Sequence, residues 1–182
     1  DTENGVANAL AAINTGVRHV QGTINGLGER CGNTNLVSLI PSLVLKTDFH
    51  TNIEEKNLKS LTKLSNTLSE LLNEPKLKNA PYVGENAFSH KGGLHASAVA
   101  KDPSTYEHID PDLVGNSRNV IISDQAGKAN LISQLNKLEI NIESEKVNQI
   151  LELIKQKEAE GFSYDTALAS FELLVRRHVG QI

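Results

Sequence analysis

The sequence VRHVQGTINGLGERCGN, residues 17–33, combines β-branched residues with four glycines. Its β-branched beginning predicts a strand over residues 17–24, and the glycines that follow predict a flexible turn. Before it, apolar residues at spacings of four and three predict a helix over residues 3–15. After it, a second helix is expected from about 34 to 45. The order helix, strand, glycine loop, helix predicts an α/β repeat.

Most of the remaining chain has helical spacing. Leucines at positions 58, 61, 64, 68 and 71 predict a helix over residues 54–72 that Pro75 ends. A short extended segment is predicted at 118–122. Further helices are predicted over about 87–101, 126–138, 145–160 and 164–179. Gly161 would let the last two form a hairpin, so the fold class is predicted to be mainly α with few strands.

The overall composition excludes several classes of protein. The chain has 182 residues and a formal charge of −4 with both signs interspersed, so we expect no nucleic-acid partner. No apolar stretch approaches the roughly 18 residues needed to span a bilayer, so no membrane contact is expected. The single cysteine, Cys31, cannot form an internal disulfide, which favours a reducing, cytoplasmic setting.

The glycine loop is the first candidate for chemistry. Four glycines in residues 22–33 let the backbone approach a ligand, and Glu29, Arg30 and Asn33 supply polar groups. The alternative is a glycine-rich turn with a surface ion pair. The loop lacks the spacing of a phosphate-binding loop, so the residues alone leave both interpretations open.

The second candidate is the stretch FSHKGGLHAS, residues 88–97. His90 and His95 are five residues apart, which is not the spacing of a helical metal-binding pair. Either imidazole could instead shuttle a proton or polarise a carbonyl. The alternative is two solvated surface histidines.

A third candidate is the phenol of Tyr106, in the turn-rich stretch PSTYEHIDP at residues 103–111. A buried structural tyrosine is the alternative. Cys31 could be a nucleophile, but a small apolar role is the more common one. Three other histidines are interpreted as structural or exposed: His19, His50 and His178.

In this order, these segments resemble the second half of the citramalate and 2-isopropylmalate synthase family, which includes homocitrate synthase-like enzymes, over nearly the whole chain. The first eight residues, DTENGVAN, resemble what begins at the last Asp of the family's His-x-His-Asn-Asp sequence. The metal-binding histidine pair would therefore lie just before residue 1. The sequences GERCGN and YEHIDP and the tail from Gly161 to Leu174 look closest to citramalate synthases.

The resemblance implies a fold and a division into domains. The fold would be the last βα units of a TIM (β/α)8 barrel, followed by helical accessory subdomains. Residues 1–52 would be the carboxy-terminal piece of the barrel and 53–84 a helical linker. Residues 85–125 would be accessory subdomain I, and 126–182 helical accessory subdomain II.

The resemblance also implies the site and its chemistry. Asn33 would be a ligand or neighbour of a divalent metal (Mn, Mg or Zn), and His95 and Tyr106 would serve the active site of the neighbouring subunit in a homodimer. The implied reaction condenses acetyl-CoA with a 2-keto acid, pyruvate, to give citramalate and CoA in branched-chain amino-acid biosynthesis.

Alternatives to this function stay open. The chain could belong to a 2-isopropylmalate synthase of the leucine pathway, or be a non-catalytic helical dimerisation module. A standalone metal-binding protein is a third hypothesis, although one Asn cannot hold a divalent ion alone. We expect the isolated piece to be inactive, since a barrel lacking most strands cannot close.

Overall fold

The computed structural model describes residues 2–90, 93–120, 127–164 and 167–182. These residues form seven α-helices and one pair of two-residue parallel strands, which confirms the predicted class of mainly α with few strands. The chain packs as two compact units. Unit 1 comprises Asp1–Phe88 and Ile109–Ser117, and unit 2 comprises Ser89–His108 and Arg118–Ile182.

The regular elements are numbered in chain order. The helices are α1 (Gly5–Asn14), α2 (Leu36–Lys46), α3 (Leu61–Leu72), α4 (Gly93–Lys101), α5 (Lys128–Lys137), α6 (Ser144–Ala159) and α7 (Leu168–Val179). The strands are β1 (Ser89–His90) and β2 (Asn119–Val120), paired in parallel with Ser89 opposite Asn119. Short 3₁₀ turns occupy Ile24–Gly26, Glu55–Ser60, Glu85–Phe88, Pro103–Thr105 and Pro111–Val114. Parts of the predicted segments 87–101, 118–122, 126–138 and 164–179 lie outside the described residues.

The predicted strand over residues 17–24 is wrong. Residues 17–22 have no regular structure, and Thr23 makes a single bridge to Asn35 before the turn Ile24–Gly26. A strand needs a hydrogen-bonded neighbour along its length. Within the part of the chain that the structure describes, the only strand pair is β1 with β2, so this segment has no partner strand to join.

Two predicted helices begin later than expected. In the segment 54–72, α3 starts only at Leu61, because Glu54 and Asn57 form a reciprocal capping box over a 3₁₀ turn. The backbone N–H of Glu54 donates to Oδ1 of Asn57 at 3.1 Å. In the segment 87–101, a 3₁₀ turn and β1 precede α4, so His90 lies on a strand and His95 on a helix.

Unit 1 is held by a core that joins distant parts of the chain. Its buried apolar members are Val37, Leu58, Leu61, Tyr82, Val83, Phe88 and Val114. Thr62 Oγ1 donates to the carbonyl of Val114 at 2.7 Å, and Asn116 Nδ2 donates to the carbonyls of Tyr82 and Gly84, both at 2.9 Å. The return segment 109–117 is therefore bonded into unit 1. The division into residues 1–52, 53–84, 85–125 and 126–182 stays a prediction.

Helix α3 buries only part of the face that its leucines mark. Leu61, Ser65 and Ser69 are buried, whereas Leu64 and Leu71 are exposed. Asn25, which is half-buried, lies against the buried serines and forms hydrogen bonds with them. The helix was predicted, but not which side of it packs.

Unit 2 is held by helices α5, α6 and α7. Its buried core consists of Leu131, Leu135, Ile140, Val147, Ile150, Ile154, Tyr164, Phe171 and Val175. Gly161 has φ +97°, the left-handed conformation that ends α6, as the sequence predicts. None of the helices in the described ranges is long and apolar enough to cross a bilayer.

Candidate functional site

The glycine loop of unit 1 is shaped by left-handed backbone. Asn25 and Gly26 have φ of +57° and +70°, and Arg30 and Gly32 have φ of +58° and +92°. A Cβ at Gly32 would collide with the carbonyl oxygen of Gly26. The glycines at 26 and 32 are therefore required by the turn itself, because side chains are disfavoured in this conformation.

Asn25 anchors the loop to helix α3. Its Nδ2 donates to the carbonyl of Ser65 at 3.0 Å, and its Oδ1 accepts from Ser65 Oγ at 2.6 Å. This residue was not predicted from the sequence, where Asn-Gly indicates only a turn. The bonds connect residues that are 40 positions apart, a pairing that local patterns cannot indicate.

Asn33, the predicted metal neighbour, ends the loop with an exposed side chain. Its backbone N–H donates to the carbonyl of Gly26 at 2.9 Å, and its Nδ2 donates to the carbonyl of Leu27 at 3.1 Å. Thr23 Oγ1 donates to the same Leu27 carbonyl at 2.7 Å. Because the amide nitrogen is engaged inside the loop, Oδ1 is the atom that Asn33 has for a cation.

The described residues do not by themselves fit a divalent metal. A Mg²⁺, Mn²⁺ or Zn²⁺ site needs several oxygen, nitrogen or sulfur ligands. Among the residues that the structure describes, no group of three or more His, Cys, Asp and Glu side chains could hold a metal. Asn33 supplies one oxygen at most. Glu29, Arg30 and Cys31 are exposed, and the structure assigns them no partner in a metal site.

His95 and Tyr106 form a ring pair in unit 2. Their ring centroids are 4.4 Å apart, with 32° between the ring planes. His95 lies in the first turn of α4 and is exposed, and Tyr106 follows the 3₁₀ turn Pro103–Thr105 and is 48% exposed. The alternative of a buried structural tyrosine is therefore wrong. The structure brings together the two side chains that the resemblance assigns to catalysis.

The turn that carries Tyr106 is locally fixed. Asp102 Oδ1 accepts from the backbone N–H of Ser104 at 3.0 Å and caps the 3₁₀ turn. The backbone N–H groups of Tyr106 and Glu107 donate to the carbonyl of Pro103 at 3.2 and 3.0 Å. An Asp before a turn is a common cap, since its short side chain reaches the free N–H groups.

A buried carboxylate lies beside this ring pair in sequence. The side chain of Glu107 is 2% exposed. Its Oε1 is 3.3 Å from His90 Nε2, and Arg118 Nε donates to its two oxygens at 2.9 and 2.8 Å. No role was predicted from the sequence for Glu107 or Arg118, and the role of His90 was left open. His90 is only 12% exposed, so for this residue the solvated-surface alternative is wrong.

The described contacts give no catalytic role to Cys31 or to three further histidines. His19, His50 and His178 are exposed, in accordance with their interpretation as structural or surface residues. Cys31 is an exposed free thiol in the glycine loop. It makes no recognisable Cys-His pair among the described contacts.

Comparison with known proteins gives family matches for two parts of the chain. Residues 1–67 match the family described as HMGL-like, and residues 82–161 match the family described as homocitrate synthase post-HMGL domain-like. The first match contains the glycine loop, and the second contains the ring pair and the buried carboxylate. The second match includes parts of both units, because residues 82–88 and 109–117 belong to unit 1.

Individual relatives identify the family more closely. The chain is 50% identical to the (R)-citramalate synthase of Aquifex aeolicus, over 100% of this chain and 35% of that protein. It is 47% identical to the (R)-citramalate synthase of a Synechocystis strain, over 99% of this chain and 33% of that protein. A probable 2-isopropylmalate synthase of Archaeoglobus fulgidus is 38% identical over 86% of this chain and 31% of that protein.

The chain belongs to the citramalate and 2-isopropylmalate synthase family. It spans about a third of the length of the curated relatives it matches.

Proposed function

We propose that this chain is the carboxy-terminal part of an acyltransferase that condenses acetyl-CoA with pyruvate to give citramalate and CoA in branched-chain amino-acid biosynthesis, in the cytoplasm. The named relatives with the highest identities support this choice of reaction. The observation that carries the proposal is the exposed contact between the rings of His95 and Tyr106. An imidazole and a phenol that contact each other in the open can serve a substrate, whereas the same pair in a closed core could not.

The chemistry needs hydrogen-bond donors near a developing negative charge. A base outside the described residues takes a methyl proton from acetyl-CoA, and the enolate carbon then bonds to the carbonyl carbon of the keto acid. Water cleaves the thioester and releases CoA. His95 and Tyr106 would orient the thioester and donate hydrogen bonds to the oxygen that gains charge.

The whole enzyme is proposed to require a divalent metal (Mn, Mg or Zn), with Asn33 as one ligand or close neighbour. The exposed Oδ1 of Asn33 supports this assignment, and the remaining ligands would come from outside residues 1–182. Residues 1–52 would close a TIM barrel, with 53–84 as linker and 85–125 and 126–182 as accessory subdomains. Without the rest of the barrel, the isolated chain is expected to show no turnover.

A homodimer is the proposed assembly, with His95 and Tyr106 completing the active site of the neighbouring subunit. The exposure of both side chains supports a role toward another molecule. The remaining proposed partners are small-molecule substrates, with no nucleic acid and no membrane. A 2-isopropylmalate synthase is the second candidate, favoured by the likeness to the Archaeoglobus fulgidus protein.

The test is a CoA-release assay on the whole enzyme that contains this chain. With acetyl-CoA, we expect pyruvate to be preferred over 3-methyl-2-oxobutanoate, the keto acid of the second candidate. His95→Ala should lower kcat about 100-fold or more, as loss of a positioned donor does. His178→Ala removes an exposed histidine from α7 and is the matched control. Wild-type kcat in His95→Ala would contradict the proposal and favour the dimerisation module.

A further inference from the structure

The carboxylate of Glu107 is the feature of unit 2 that the proposed reaction does not use. A side chain that is 2% exposed carries a charge that would be costly to bury without partners. Arg118 Nε supplies one at 2.8 Å, and His90 Nε2 lies at 3.3 Å. An ionised carboxylate can only accept, so this contact is a hydrogen bond in the tautomer that carries the hydrogen on Nε2 of His90.

The three side chains come from three separate segments. His90 ends β1 and Arg118 immediately precedes β2, and these strands pair in parallel. Glu107 follows the 3₁₀ turn Pro103–Thr105. The carboxylate therefore binds this turn to both strands of the only sheet within the described ranges.

The contact between His90 and Glu107 closes a segment in which the two residues are 17 positions apart. His95 and Tyr106 both lie inside that closed segment. His95 stands early in α4, which follows β1, and Tyr106 directly precedes Glu107 along the backbone. Because His90 and Glu107 are held together at one carboxylate, the chain between them cannot open at its ends. The distance by which the two rings can separate is therefore limited.

We propose that Glu107, held by His90 and Arg118, is a positioning residue that keeps His95 and Tyr106 in register for the condensation. This inference rests on the proposed function of that ring pair. Glu107 touches no substrate in this account. It acts through Tyr106, its neighbour in the chain, and through His90, which fixes the start of the segment.

The experiment is kinetic and uses the whole enzyme with acetyl-CoA and pyruvate. Glu107→Gln keeps the size of the side chain but removes its charge. We expect kcat to fall at least about tenfold, since small displacements of catalytic groups are costly, while KM for pyruvate stays within about twofold. Glu152→Gln, which removes an exposed carboxylate paired with Lys155 on α6, should leave both constants unchanged.

A double-mutant cycle separates positioning from general destabilisation. In a Tyr106→Phe background the Glu107→Gln change should cost much less than in the wild type, because the group it positions is already lost. Equal costs in both backgrounds would overturn the proposal, since Glu107 would then act independently of Tyr106. So would a kcat for Glu107→Gln equal to that of Glu152→Gln.

A second variant guards against loss of folding. Arg118 is 36% exposed at its side chain, so Arg118→Gln disturbs the core less and still deprives the carboxylate of its cation. It should show the same fall in kcat with unchanged KM, and wild-type kcat would overturn the proposal. If His95→Ala is impaired while both charge variants are normal, the proposed function stands and this inference fails. If wild-type enzyme shows no condensation, the proposed function fails first.

Discussion

The glycine loop of unit 1 and the segment of unit 2 around Glu107 position their candidate side chains in different ways. In the loop, the backbone positions the side chain of Asn33. Left-handed residues turn the chain, and the carbonyl of Leu27 accepts a hydrogen bond from the Asn33 amide. Around Glu107, side-chain charges position the ring pair, because one buried carboxylate connects a turn to residues of β1 and next to β2.

This difference predicts which substitutions disturb each region. Because the backbone shapes the glycine loop, we expect it to tolerate changes of exposed side chains such as Glu29 and Arg30. We expect it not to tolerate a Cβ at Gly32. The segment around Glu107, in contrast, depends on a single buried carboxylate. Stability experiments in the loop and kinetic experiments around Glu107 therefore test the two regions separately.

The largest stability effect is expected at Gly32. Gly32→Ala adds a Cβ that collides with the Gly26 carbonyl at φ +92°, so we expect a loss of about 3 kcal/mol in the free energy of unfolding. Gly16→Ala is the control, since Gly16 has φ +113° but an added Cβ there would meet open space. Urea denaturation of both variants measures the difference. Equal losses would mean that the close approach within the loop contributes nothing.

A smaller effect is expected at Asn25. Asn25→Ala removes two hydrogen bonds with Ser65, so we expect a loss of about 1 to 2 kcal/mol by urea denaturation. Asn73→Ala is the matched control. Asn73 follows α3 with nearly the same left-handed backbone, φ +53°, but its side chain is exposed. If the two variants lose the same stability, the anchor between loop and helix has no energetic role.

Periodicity predicted elements whose signal is local. The apolar spacing in α1, α2 and α6 depends on residues close in sequence, and each helix was found near its predicted bounds. The strand over 17–24 failed because strand formation depends on a partner elsewhere in the chain. Leu64 and Leu71 match a helical stripe but are exposed, since Asn25 and two serines occupy the inner side of α3.

The candidate site was predictable from the resemblance and only in part from the residues. Spacing alone left Tyr106 open to a buried structural role, and the structure shows it exposed against His95. Glu107 was passed over because it stands among other polar residues of the stretch PSTYEHIDP. Its burial follows from pairing with Arg118, 11 positions away, which a local pattern does not indicate.

The proposed role of His95 lies in the active site of the neighbouring subunit, to which the glycine loop would bring Asn33. Subunit complementation in the whole enzyme tests it directly. Asn33→Ala and His95→Ala subunits, each with strongly reduced activity alone, are unfolded together and refolded as mixed dimers. One of the two sites in every mixed dimer would then carry neither change, so activity should recover to about a quarter of the wild-type value. No recovery in dimers shown to be mixed would contradict the claim.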